Sequence, residues 1–272
     1  MEKIPQLNEQ IVQLIKIMER LRGPDGCPWD REQTLGSLRP CILEEAYELI
    51  EAIERDDPAS ISEECGDLLL QVVFIAWIGM EEGRFDLADV VRGLNEKLMR
   101  RHPHVFGDVR IETSEGVMKN WDLIKQGERR EKEHDSSIFA GIPPNLPALV
   151  KSHRIQERAA KVGFDWKKGD IEPVISKISE EVREFSEAVA LEEPDHIEEE
   201  VGDLFFALVN LARHLNIEAE FSLQRANLKF IERFRLIEGF VEESGREWSE
   251  YSLDELEDLW QNAKKTLSAK TF

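Results

Sequence analysis

Apolar residues recur along most of this chain at intervals of three and four, the spacing that lines one face of an α-helix. Leu7, Ile11, Leu14, Ile15, Met18 and Leu21 form a first stripe. A helix over Leu87–Arg101 and another over Ala148–Lys161 follow from the same period. Two further segments are each interrupted once by a proline. In the second of them, Val174, Ile175, Ile178, Val182, Phe185 and Val189 precede Glu193-Pro194-Asp195. Ile197, Val201, Leu204, Phe205, Leu208 and Leu211 come after it. A short connection with proline makes the flanking helices antiparallel neighbours.

The acids break the pattern. Glu181 and Glu184 lie one turn apart on the first helix of this pair, and Glu200 and Asp203 one turn apart on the second. Residues three or four apart share a helix face, so the four carboxylates edge the apolar stripe and converge between the helices. Such a group takes up protons or binds a cation. Its donors are all oxygens, which suits a hard ion, Mg²⁺ or Mn²⁺. In a chain with 56 Asp and Glu the plain alternative is a solvated acidic face.

Repetition argues against that alternative. Glu44, Glu45 and Glu48 stand before Asp57-Pro58, and Glu64 and Asp67 after it. The offset to the later copy is 136 at both ends (181 − 45 and 200 − 64), the mark of an internal duplication. Glu45, Glu48, Glu64 and Asp67 are therefore a second candidate ligand set. Further on, Asn227, Lys229 and Arg233 match Asn95, Lys97 and Arg101 at an offset of 132, and Trp260 and Lys264 resemble Trp121 and Lys125. Lys229 and Arg233 share a helix face and are candidate phosphate contacts, salt bridging to the abundant acids being the alternative. Lys177, one turn before Glu181, is a third candidate cation. Trp260 is a candidate base-stacking residue.

Between the copies, residues 127–147 lose apolar periodicity: GERREKEHDSS is charged and IPPNLP is proline-rich. This reads as a linker between an N-terminal unit, 1–126, and a C-terminal unit, 148–272. Glu131 and His134 form an ExxH there, but with no core face to project from. The pair His102-Pro103-His104 reads as a turn.

The paired EExxE and ExxD motifs, with GCPWDREQT (26–34), LRPCILEEAYE (38–48) and KVGFDW (161–166), resemble the MazG family of nucleoside triphosphate pyrophosphohydrolases. The likeness covers nearly the whole chain. It implies an all-α fold of tandem duplicated helical-bundle units and the use of Mg²⁺. It also implies hydrolysis of nucleoside triphosphates, broadly NTPs and dNTPs, to monophosphate and pyrophosphate. On that reading Glu181, Glu184, Glu200 and Asp203 bind the metal, and Lys177, Lys229, Arg233 and Trp260 contact substrate. Glu180 is a general base or a supporting residue, and Glu181 joins it at the reacting centre. Small individual cores, together with the resemblance, imply a homodimer.

Charge and cysteine content narrow the remaining classes. A net charge of −21 excludes a nucleic-acid-binding surface, which needs a basic footprint. Cys27, Cys41 and Cys65 are odd in number and form no CxxC, as expected of reduced thiols in a cytoplasmic protein. The polar start MEKIPQLNEQ is not a signal peptide, and Leu68–Met80 is too short to span a membrane. No GxxxxGK[ST] is present, and Asp195-His196 stands where a Nudix box needs Arg-Glu. Two alternatives remain open at this level. One is a non-enzymatic bundle that binds divalent cations or a partner, and the other is a pyrophosphohydrolase of a phosphoribosyl-nucleotide.

The two copies are also expected to be unequal. The position of Lys177 is taken by Cys41 in the first copy, after Pro40, and Arg101 is followed at once by His102-Pro103. The C-terminal site is the one expected to carry most of the chemistry.

Overall fold

The computed structural model describes residues 3–132 and 137–270. The described residues are helical, with no strand among them. The chain divides into two compact units between Gly127 and Glu128.

Unit 1 contains α1 (Lys3–Arg22), α2 (Pro28–Glu32), α3 (Arg39–Glu54), α4 (Pro58–Glu81), α5 (Leu87–Arg101), α6 (Pro103–Phe106) and most of α7 (Ser114–Lys132), which runs past the boundary. Each start of the central elements has a local cause. Pro40 sits in the first turn of α3, where its missing N–H costs no hydrogen bond. Asp57 caps α4 by accepting from the Ala59 N–H (3.1 Å), ahead of Pro58. Asp86 and Asp89 close a reciprocal capping box at the start of α5. The core joins α1 and α4 through Met18, Leu38, Val73, Phe74 and Ile78. Arg22, its side chain only 7% exposed, ties α1 to the end of α4 through Glu81 (2.6 Å). Gly79 permits the turn into α5, since a Cβ there would lie 2.7 Å from the Phe85 ring.

Unit 2 contains α8 (Ala148–Lys161), α9 (Glu172–Leu191), α10 (Pro194–His214), α11 (Ala219–Ser244) and α12 (Leu253–Lys270). Helix α9 stops at Glu192, which adopts the left-handed conformation (φ 57°), and Pro194 opens α10 two residues later. The α9–α10 pair thus repeats α3–α4. Its interior is made by Val174, Ala188, Ala207 and Val209. A second core of Ile237, Val241 and Ala263 joins α11 to α12, with Trp260 and Tyr251 packed on it.

The charged stretch expected to be linker is partly ordered differently. Residues 127–132 continue α7 as helix, because Glu, Arg and Lys are good helix formers even without an apolar face. Residues 137–147 form turns within unit 2, and Arg158 holds them onto α8 (Ala148–Lys161) by donating to the carbonyls of Ile138 (2.9 Å) and Ala140. Residues 133–136 lie outside the described residues, and so does the ExxH that ends at His134.

Candidate metal centre

The α9–α10 pair brings Glu181, Glu184 and Glu200 together, with one carboxylate oxygen of each within 4.8 Å of the others. Glu181 and Glu200 are buried, their side chains 7% and 10% exposed. Lys177, one turn before Glu181, places its ammonium 2.8 Å from Glu181 and 2.9 Å from Glu180. Those two hydrogen bonds hold the Lys177 pKa above its ordinary value, against the opposing effect of burial. His196 lies one turn before Glu200, with Nε2 3.0 Å from Oε1. The other Glu200 oxygen, Oε2, is buried without a hydrogen-bond partner. An orphaned buried carboxylate oxygen beside two further carboxylates is costly unless something cationic completes it. The donor set fits a hard divalent cation. Asp203, the fourth acid expected, stands outside the tight trio but lines the same cavity as Glu181.

In unit 1, Glu45, Glu48 and Glu64 gather within the same 4.8 Å limit. Their surroundings differ. Among the described residues no ion pair reaches any of the three. The Glu45 pKa is raised, by desolvation first and then by the carboxylates of Asp67, Glu48 and Glu44, while a hydrogen bond from neutral Gln71 opposes this. Glu64 is raised likewise, by desolvation and then by Glu48, Asp67, Glu63 and Glu45. Asp67 therefore belongs to the electrostatic surroundings of the group, as its spacing implied. Cys41, a free thiol, occupies the register of Lys177. Ser60 occupies that of His196 and donates to the capping Asp57 instead (2.8 Å).

A cavity of about 830 Å³ opens beside the unit 2 acids, lined by Lys177, Glu181 and Asp203. The rest of its lining includes Phe139, Phe164, Trp166, Phe206, Asn210 and Arg213. The loop carrying Phe164 and Trp166 is clamped onto α10 through Asp165. Arg213 donates to both Asp165 oxygens (2.7 and 2.9 Å), and His214 lies 3.0 Å away. Burial would push the Asp165 pKa up, but the hydrogen bonds from Arg213 and His214 outweigh it and leave the group below its usual value.

Lys229, Arg233 and Trp260 do not appear in that lining among the described residues. Arg233 stacks on Trp260 (5.5 Å to the ring centre), and Phe230 packs on the same indole (5.0 Å). Arg233 Nε is buried without an acceptor. In unit 1, Arg101 stacks on Trp121 in the same way (5.3 Å), so the duplication extends to the last helix of each unit. Arg101 is the final residue of α5, whereas Arg233 lies well inside α11.

Some residues at the site carry little signal of a role in the sequence. His196 is the most legible, four residues before Glu200 and so on the same helix face. Asp165 and Trp166 were visible as part of a motif without a role. Asn210 and Arg213 meet the cavity only through tertiary packing 48 residues from Asp165, and no local spacing announces that.

Two helical units, each with a two-helix hairpin that presents EExxE against ExxD, define an all-α nucleotide pyrophosphohydrolase type of protein. The family model for the MazG nucleotide pyrophosphohydrolase domain matches residues 33–106 and 170–235, the segments that hold both acid clusters. The chain is 49% identical to "Nucleoside triphosphate pyrophosphohydrolase/pyrophosphatase MazG" of Thermotoga maritima, over 93% of this chain and 94% of that protein. It is 47% identical to the nucleoside triphosphate pyrophosphohydrolase of Escherichia coli K12, over 94% and 97% respectively. A shorter match, 35% identical over 58% of this chain and 47% of the relative, is to the protein of the same name in Mycobacterium tuberculosis. The chain belongs to the MazG nucleotide pyrophosphohydrolase family. No described helix is long and apolar enough to cross a membrane.

Proposed function

We propose that unit 2 is the catalytic unit of a Mg²⁺-dependent nucleoside triphosphate pyrophosphohydrolase, acting between the α- and β-phosphates. One observation carries this reading: Lys177, Glu181 and Asp203 line the same cavity as Phe164, Trp166 and Phe206. Phosphate-facing charge and base-facing aromatic surface are thus provided together, in a volume suited to a small ligand. Glu181, Glu184, Glu200 and Asp203 would hold Mg²⁺, with Mn²⁺ as a substitute. Bound there, the ion neutralises triphosphate charge and makes the attacking water more acidic.

The chain's own residues do the rest. Lys177, shared between Glu180 and Glu181, turns its ammonium toward phosphate oxygens and stabilises the charge that accumulates on the leaving pyrophosphate. Glu180 orients Lys177 and is positioned to accept a proton from water. Phe164 and Trp166, fixed by the Asp165–Arg213 clamp, pack against the base. Lys229, Arg233 and Trp260 stand outside the cavity lining, and we assign them to substrate contact in a homodimer. The buried, unpartnered Arg233 Nε supports that role. Exposed Phe205 (56%) and Phe230 (54%) leave apolar side chains for a second copy to cover.

Product analysis tests the reaction. Incubation with each NTP and dNTP should yield monophosphate and pyrophosphate in equal amounts, and none in EDTA. Release of diphosphate and inorganic phosphate instead would contradict the proposal. Light scattering tests the assembly, where a monomeric mass across dilution would remove the homodimer.

A further inference from the structure

Residues 162–170 join α8 to α9 beside the unit 2 cavity. Gly163 (φ 88°) and Gly169 (φ 89°) both adopt the left-handed conformation, which glycine takes without strain. A Cβ at either position would meet nothing within 4 Å, so backbone conformation and not close packing calls for glycine there. Between these two pivots, Phe164 and Trp166 line the cavity while remaining 83% and 39% exposed. Packing alone therefore does not fix the two rings.

Asp165, between them, turns inward, and its side chain is only 19% exposed. It accepts from Arg213 at both oxygens (2.7 and 2.9 Å), lies 3.0 Å from His214 Nε2, and accepts the Trp166 N–H (2.9 Å). Arg213 is held in turn by Asn210, whose Oδ1 accepts from it (2.6 Å). None of these hydrogen bonds involves Lys177 or the acids of the metal centre. Unit 1 folds its hairpin without such a hub. At the offset of 136, Asn210, Arg213 and His214 become Phe74, Trp77 and Ile78. Phe74 and Ile78 belong to the core there, and Trp77 packs against it. The helical pair thus forms with apolar packing at these registers, and an ion pair withdrawn from water adds little net stability in its place.

We propose that Asp165 is a positioning residue that holds the Phe164–Trp166 segment as a strap across the nucleoside side of the cavity. Through Arg213 and His214 it fixes both rings before substrate arrives, so binding does not have to order them. Released from α10, the strap turns about Gly163 and Gly169, and the nucleoside meets an unformed wall. The proposal rests on the reading of unit 2 as the hydrolytic unit. It goes further by assigning nucleotide affinity to a carboxylate whose oxygens are taken up by protein donors.

Steady-state kinetics of the full chain, with AMP and pyrophosphate as product inhibitors, test it. Asp165→Asn should raise the KM for ATP and the inhibition constant of AMP by about tenfold each, the scale of ordering two rings on binding. The kcat should stay within about twofold, and pyrophosphate inhibition should not change, since pyrophosphate does not reach the strap. Loss of a negative charge by itself favours an anionic ligand, so tighter nucleotide binding overturns the proposal. An unchanged KM overturns it too, and so does equal weakening of AMP and pyrophosphate, the mark of a disturbed fold. Phe164→Ala, at an exposed position, keeps the test independent of folding. It should weaken AMP and spare pyrophosphate, and no change in AMP overturns the strap. In a Phe164→Ala/Trp166→Ala background, Asp165→Asn should add less than about twofold. A full tenfold loss there means that the carboxylate acts other than through the rings, and overturns the proposal. If the wild-type chain releases no pyrophosphate, the reading of unit 2 fails separately, and calorimetric titration of AMP with Mg²⁺ decides the strap. Binding about tenfold weaker in Asp165→Asn supports it, and equal or absent binding overturns it.

Discussion

In unit 2 an ammonium and an imidazole lie on the acids of the helical hairpin; in unit 1 the same two registers hold a thiol and a hydroxyl. Both hairpins gather three carboxylates within the same distance. The difference lies in compensation. Lys177 and His196 meet the buried pair Glu181 and Glu200, while desolvation and the neighbouring carboxylates push Glu45 and Glu64 toward protonation. A duplicated set of acids can therefore persist while the groups beside it differ, and acid count alone does not capture that difference.

The largest expected effect separates the units by chemistry. Glu200→Gln should keep the helices and lower turnover on the order of 100-fold or more at limiting Mg²⁺, since it removes the charge of a proposed metal ligand. Unimpaired turnover in a magnesium titration would remove Glu200 from the ligand set. Lys177→Met should lower kcat by about 100-fold, the scale of a lost charge-stabilising donor, with little change in metal affinity. A change confined to KM would make Lys177 a binding residue only.

Saturating Mg²⁺ at a hundredfold its Kd should stabilise the fold by about 2.7 kcal/mol per binding unit. Thermal unfolding with and without EDTA measures this, and a melting temperature indifferent to Mg²⁺ would contradict both clusters. Metal-free unit 1 should also respond to pH. Glu45 and Glu64 have raised folded-state pKa values, so the folded state binds protons more readily than the unfolded one. Their stabilising contribution is complete below the unfolded value of 4.5 and is lost as pH rises through their folded values. Glu81, Asp165 and Glu255 act in the opposite sense. Each is depressed, Glu255 to about 2 by the Ser252 N–H and then Arg246, so their contributions fade as pH falls below about 4. In EDTA the melting temperature should therefore rise on acidification from neutrality and turn down below about pH 4. Glu45→Gln should flatten the rising limb.

The smallest effect is a repair. Cys41→Lys places a cation one turn before Glu45 and should stabilise metal-free unit 1 at neutral pH by about 0.5 kcal/mol, the worth of an exposed helical ion pair. No gain in melting temperature would mean that the missing cation is not what sets Glu45 apart.

Much of this was legible along the chain because helices report locally. The bounds of α5 and α8 follow from apolar period, with the Asp86 and Asp89 capping box marking the start of α5, and the clustered acids declare themselves by a spacing that recurs at a fixed offset. Gly127–Lys132 has the composition of a linker and lacks an apolar stripe, and its residues propagate a helix already begun at Ser114. The cavity was hidden for a different reason. Phe139, Trp166, Phe206 and Arg213 come from separate elements, and only tertiary packing places them around Lys177. The Asp165–Arg213 clamp spans 48 positions, beyond the reach of any helical period.

Hydrolysis by unit 2 is tested most directly by pyrophosphate release, measured on one NTP panel for Glu45→Gln/Glu48→Gln and for Glu181→Gln/Glu184→Gln. Near wild-type release is expected from the first pair and none above background from the second. Release abolished by the first pair and preserved by the second would contradict it.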